Sequence, residues 1–258
     1  MRSLYCLTKL YVLGSVRRQV HLATLFLGVI LLMLPAYVNA FSLGVNAFER
    51  VSKDFALTLV NYFGVGMAIL IASSSIPRDL ENRSLYPILA RPISRYTYVT
   101  AHFLSVLTVL TASFLFLGGC ISLSVSALTK TPELTVFIAV FGIYLQSAVV
   151  AAVVLSISTV ASPALAGTVG AFVFLVGSLP QAFIQFFLTE DRQSSFSANL
   201  ASGIKSLLPN LTIFSLKDAV VHDLPLSPNY LVACAVYAVV WIAVCLTGAT
   251  ILFGRRDL

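Results

Sequence analysis

Apolar residues in this chain come in long runs separated by short polar breaks. Phe55 to Ile76 carries no charged side chain, nor does Tyr96 to Thr129, nor Leu134 to Thr189. A helix needs about 20 apolar residues to cross roughly 30 Å of hydrocarbon. On that measure residues 22–41, 55–76, 101–128 and 230–253 are each one expected span. The run from Leu134 would be about 80 Å long as a single helix at 1.5 Å per residue, so it must fold back. The expected turn is Ser156-Ile-Ser-Thr-Val-Ala-Ser-Pro163, which is polar and closed by proline. Spans four and five follow, six in all, joined there on the cytoplasmic side. The alternating ~10-residue blocks of a membrane barrel are not seen.

Composition agrees with this class. Hydrophobic residues make up 59% of the 258, and charged residues 10%, where a soluble domain has about 25%. The net charge of +6 is explained by topology rather than by nucleic acid. Ten Lys/Arg fall on the expected cytoplasmic segments and six on the outer ones, against three and seven acids. That bias is the positive-inside pattern. It puts both termini in the cytoplasm, with one six-span domain expected over residues 1–258.

The polar break between the second and third spans is the sharpest feature. Pro77 to Arg95 holds four arginines, two carboxylates and three prolines in 19 residues. Pro77 suits the first position of a helix, with Asp79 and Glu81 near its start, where the helix dipole favours carboxylates. Leu85, Ile88 and Leu89 give an apolar stripe at i, i+3 and i+4. Pro87 and Pro92 divide the segment into short pieces. A handle gripped from the cytosol and a solvated connector touching anionic lipid both fit this composition.

Other polar positions are read more plainly. Residues 1–20 form an expected interfacial helix, with Arg2, Lys9 and Arg17 on one face and Leu4, Leu7 and Tyr11 on another. Val38-Asn39-Ala40 looks like a leader cleavage site, but the first span is read as retained. An outer loop is expected over 42–54. Asn61, Gly64 and Gly66 suit close helix packing, with a substrate-lining role as the alternative. His102 at a span edge is expected to be satisfied by a neighbour, and Gln146, Gln181 and Gln185 to bond between helices. Residues 189–229 form an outer segment of short helices broken at Pro209, Pro225 and Pro228. In it Asp218, His222 and Asp223 make only a weak metal-ligand set. Cys6, Cys120, Cys234 and Cys245 have no CxxC spacing and read as small hydrophobes.

No P-loop, GxGxxG, HExxH or GxSxG is present, and no acid or base lies deep within a span. Energy for any transport is therefore expected from a partner.

Glu81-Asn-Arg-Ser-Leu-Tyr-Pro-Ile-Leu-Ala-Arg-Pro-Ile-Ser-Arg95 resembles the signature of membrane subunits of ABC transporters of the type-2 exporter class (type V fold), and so does the tail Phe253-Gly-Arg-Arg-Asp-Leu258. The run Leu208-Pro-Asn-Leu-Thr-Ile-Phe-Ser-Leu-Lys-Asp218 is similar to a branch linked with multicopper-enzyme maturation. Arg83-Ser84 and Ala101-His102 depart from the family's usual Gly-Thr and Gly-Lys. The resemblance implies an elbow helix before the first span, a coupling helix between the second and third, and short outer helices before the sixth. It implies a permease without catalysis of its own, paired with a second copy or homologue within membrane lipid. ATP and Mg would be bound by a separate ATPase subunit. The coupling contact would use Arg78, Asp79, Glu81, Arg83 and Arg95 for charge, and Leu85, Ile88, Leu89 and Pro92 for anchoring. A membrane scaffold without transport, and an intramembrane enzyme using His222 and Asp218, are the competing readings.

Overall fold

The computed structural model describes residues 8, 11, 20–39, 45–81, 95–129, 135–179, 208–221 and 227–254. Every element among them is helical. They are α1 (Val20–Asn39), α2 (Val45–Glu81), α3 (Arg95–Thr129), α4 (Val136–Ser158), α5 (Pro163–Gly177), a 3-10 turn (Leu211–Phe214), α6 (Lys217–Val221) and α7 (Pro228–Gly254). Four stretches, Arg50–Asp79, Tyr96–Ser126, Val136–Ser158 and Pro228–Gly254, are long and apolar enough to cross a membrane, while Leu22–Met33 and Pro163–Gly177 are apolar but shorter.

Helix α4 is the axis of the bundle. It packs against α2, α3, α5 and α7, and a helix that is apolar all round is one built for burial. Val149, Val150, Ala151, Ala152, Val154 and Leu155 lie on it without exposure. Helices α1, α5 and α7 form the outside. Val232, Val236, Val239 and Val244 of α7 are more than half exposed, as are Phe26 of α1 and Phe172 of α5. Apolar surface on this scale is costly in water and neutral against lipid tails.

Hydroxyl-to-carbonyl bonds stitch the helices where apolar packing alone would leave them free to slide. Ser124 Oγ donates to the Leu31 carbonyl at 3.0 Å, joining α3 to α1. Ser156 Oγ donates to the Cys245 carbonyl at 2.9 Å, joining α4 to α7. Gly64 seats α2 against α3, because a Cβ there would fall 2.2 Å from Phe114 Cζ. Gly66 faces open space, so the packing role expected of both glycines holds for Gly64 alone.

The turn between α4 and α5 falls where the sequence puts it. Helix α4 ends at Ser158, Ser162 caps α5 by accepting from the Leu165 amide at 3.5 Å, and Pro163 takes the first turn.

Two expectations about α2 are corrected. Its first turns begin at Val45, so Arg50–Asp54 are helical and not part of an outer loop. Its last turn carries Pro77 inside the helix, with Arg78, Asp79 and Glu81 at the C-terminal end. Pro77 therefore does not start a new helix, and the dipole there disfavours the two carboxylates. The proline forgoes one helical bond, the one its N–H would give to the Ser73 carbonyl, and the helix runs on to Glu81 past it. Helix α3 likewise starts at Arg95, a turn and a half before the expected span.

Candidate functional site

The C-terminal end of α2 and the N-terminal end of α3 meet around one carboxylate, with the C-terminal end of α7 packed on the ring beside it. Asp79, in the last turn of α2, points back into the bundle, and its side chain is 18% exposed. Tyr98 Oη donates to Asp79 Oδ2 at 3.1 Å. His102 Nε2 lies 3.2 Å from the same oxygen. That contact falls short of hydrogen-bond geometry, and it is an ion pair only when the imidazole is protonated. Tyr98 and His102 are four residues apart on α3 and so share a face. Their rings meet edge to face at 4.7 Å.

Aromatic rings close the cluster on two further sides. Tyr98 stacks on Phe253 from the last turn of α7 at 5.5 Å and 19°. Tyr11, from the N-terminal segment, stacks on His102 at 3.9 Å and 28° and meets Tyr98 edge-on at 6.3 Å. Four parts of the chain are thus pinned at one point. Buried polar groups of this kind hold position well, because each loses a partner if the arrangement shifts.

The pinned point sits at the foot of the arginine-rich segment. Glu81 closes α2 and Arg95 opens α3, so residues 82–94 leave and return through helices tied together by Asp79. Arg78 is exposed one position before it. Arg83, Leu85, Ile88, Leu89 and Pro92 lie outside the described residues, as does the apolar stripe on which an anchor depends. Asp79, expected at the partner contact, has its Oδ2 oxygen against Tyr98 and His102. Tyr98 and Tyr11 were missed as site residues. The i, i+4 spacing of Tyr98 and His102 was the available signal, but spacing does not say which face turns inward.

A second feature lies at the other end of the bundle. Asn61 is 18 residues before Asp79 on the same helix, about 27 Å along the axis at 1.5 Å per residue. There a recess of about 670 Å³ opens between α2, α4, α5 and the outer segment. Asn61, Gln146, Ser178, Thr212, Lys217 and Asp218 supply its polar lining. The outer segment roofs it by pressing onto α4 at Gly142, where a Cβ would come 2.7 Å from the Phe214 carbonyl oxygen. Asn210 caps the 3-10 turn through Thr212, and its own amide donates to Tyr237 Oη of α7 at 2.9 Å. Gln146 Nε2 donates to Ser178 Oγ at 3.4 Å, the inter-helix bond expected of that glutamine. Gln181, Gln185, His222 and Asp223 lie outside the described residues. Among the described residues no three His, Cys, Asp or Glu come together as a metal site, and Cys120, Cys234 and Cys245 are free.

The described residues form an all-helical bundle with four helices long and apolar enough to cross a membrane. No curated protein matches the chain significantly. The family model described as ABC-2 family transporter protein matches residues 14–258, and the chain belongs to that family.

Proposed function

We propose that the chain is the transmembrane half of an ATP-driven exporter of the bacterial cytoplasmic membrane. Six spans place both termini in the cytoplasm. Two copies, or one copy and a homologue, pair within the bilayer. Each half docks a separately encoded ATPase subunit through the cytoplasmic coupling segment, residues 77–98. ATP and Mg bind to that partner, and this chain carries no catalysis of its own.

The observation that carries this reading is the tie from Asp79 to Tyr98 and His102 at the foot of that segment. A force applied to residues 82–94 reaches α2 and α3 together, since their ends are joined. Helix α2 then carries it, without a break, to the depth of the outer recess. Arg78, Glu81, Arg83 and Arg95 supply charge at the docking face, and Leu85, Ile88, Leu89 and Pro92 its apolar anchor. Asp79 acts from inside as the brace.

The test is co-purification. A tagged chain drawn from native membranes brings an ATPase subunit with it, and Glu81→Lys or Arg95→Glu lowers the recovered partner about tenfold, the effect of losing roughly 1.4 kcal/mol of contact. Recovery of this chain alone overturns the reading. So does labelling of cysteines placed at Asn82 or Ser84 from the exterior only.

A further inference from the structure

We propose that the outer recess takes an amphipathic organic cation, a quaternary ammonium head on an alkyl chain. Among the described residues that line it, Lys217 is the one cation and Asp218 the one carboxylate. The lysine is engaged elsewhere. Its ammonium lies 3.5 Å from Asp54 Oδ1 and donates to Thr58 Oγ1 at 3.3 Å, and neither partner belongs to the lining. Asp218 is exposed, and no described side chain forms an ion pair or hydrogen bond with it. The recess is left with one negative charge, which attracts a cation and repels an anion.

The rings of the wall point to the kind of cation. Tyr62 is 61% exposed and meets Phe174 at 5.9 Å and 89°, so the two rings form a corner of the recess. Ring faces hold methylated ammonium groups through cation–π attraction. A quaternary ammonium also has no N–H to satisfy. That suits a lining in which Gln146 already bonds Ser178 at 3.4 Å and the Asn61 Oδ1 atom is closed off from the surface.

The volume of about 670 Å³ lies within the range of small-ligand sites. The recess adjoins the outer surface of α5, where Leu175 is 62% exposed. An alkyl chain leaving the head there stays in lipid. Choline phospholipids carry the same head, but their phosphate brings a negative charge toward Asp218 while Lys217 is already engaged. A ligand with a net positive charge is therefore preferred to the lipid. As a cargo site the recess rests on the exporter reading above; as a binding site it does not.

The test uses the purified full-length chain in nanodiscs of digalactosyldiacylglycerol, an uncharged lipid without an ammonium group. Radiolabelled decyltrimethylammonium, kept below its micelle concentration, is the probe, with empty nanodiscs as background. Saturable binding is expected, displaced by the unlabelled cation and at least tenfold less well by decyl sulfate, decyl glucoside or decylphosphocholine. Asp218→Asn weakens it roughly three- to fivefold, the weight of one exposed charge pair. Tyr62→Leu weakens it by a similar factor through the lost ring face. The absence of a saturable component overturns the proposal, as does equal displacement by any of the three competitors, or unchanged affinity in Asp218→Asn. Both substituted side chains are exposed; if either variant still fails to fold, the headgroup selectivity of the unaltered chain decides. Binding needs no ATPase, so this result and the co-purification result stand apart.

Discussion

His102 Nε2 lies 3.2 Å from Asp79 Oδ2, across the gap between the last turn of α2 and the first turns of α3. The histidine is 2% exposed. A histidine and a carboxylate at that depth serve each other, since neither is well placed to find water.

Replacing Asp79 separates charge from shape. Asp79→Asn keeps an oxygen for Tyr98 and costs less than Asp79→Ala, which strands both Tyr98 Oη and His102 Nε2. The alanine variant is expected to lose about 1–3 kcal/mol. Thermal unfolding of the purified chain in one detergent measures the order; an unchanged asparagine variant would remove the charge from the account, and an equal loss in both variants would remove the acceptor oxygen.

Tyr11 tests whether the N-terminal segment is held by ring stacking. Tyr11→Phe keeps the stack on His102 and stays within about 1 kcal/mol of the parent. Tyr11→Ala loses the ring and exposes His102. Limited proteolysis of the N-terminal segment should quicken in the alanine variant alone.

Two glycines give opposite results for the same substitution. Gly142→Ala drives a methyl against the Phe214 carbonyl, a backbone atom that cannot rotate away, and costs about 1–3 kcal/mol. Gly66→Ala meets nothing within 4 Å, and gains up to about 1 kcal/mol from helix propensity. Melting temperatures of the two variants should move in opposite directions.

The pair Lys217–Asp54 is the weak link of the outer segment. Its side chains are 31% and 53% exposed, so water and salt screen them. Asp54→Asn should cost less than about 1 kcal/mol. A melting shift that persists undiminished in 0.5 M salt (an ionic strength with a Debye length of roughly 4 Å) would contradict this.

How much was legible varies along the chain. The turn at residues 159–162 could be placed because Ser162-Pro163 interrupts a charge-free run, and proline and capping chemistry act locally. The end of α2 could not. Pro77 reads as a helix start when only its neighbours are considered, yet the helix runs through it to a turn whose Asp79 is engaged by Tyr98 and His102 of α3. The stretch after Asp54 read correctly as a span, whereas Arg50–Asp54 read as loop because charges predict water without saying whether the backbone is coiled.

By itself the sequence determined the membrane class, the helical character and the position of most apolar spans, because transfer from water to lipid depends on residue type and run length. The inward turn of Asp79, its partnership with Tyr98, His102 and their stacking rings, and the recess over Asn61 were decided by tertiary structure alone. Those depend on which faces of distant helices come into contact. In a chain whose residues are nearly all apolar, periodicity carries little information about that choice.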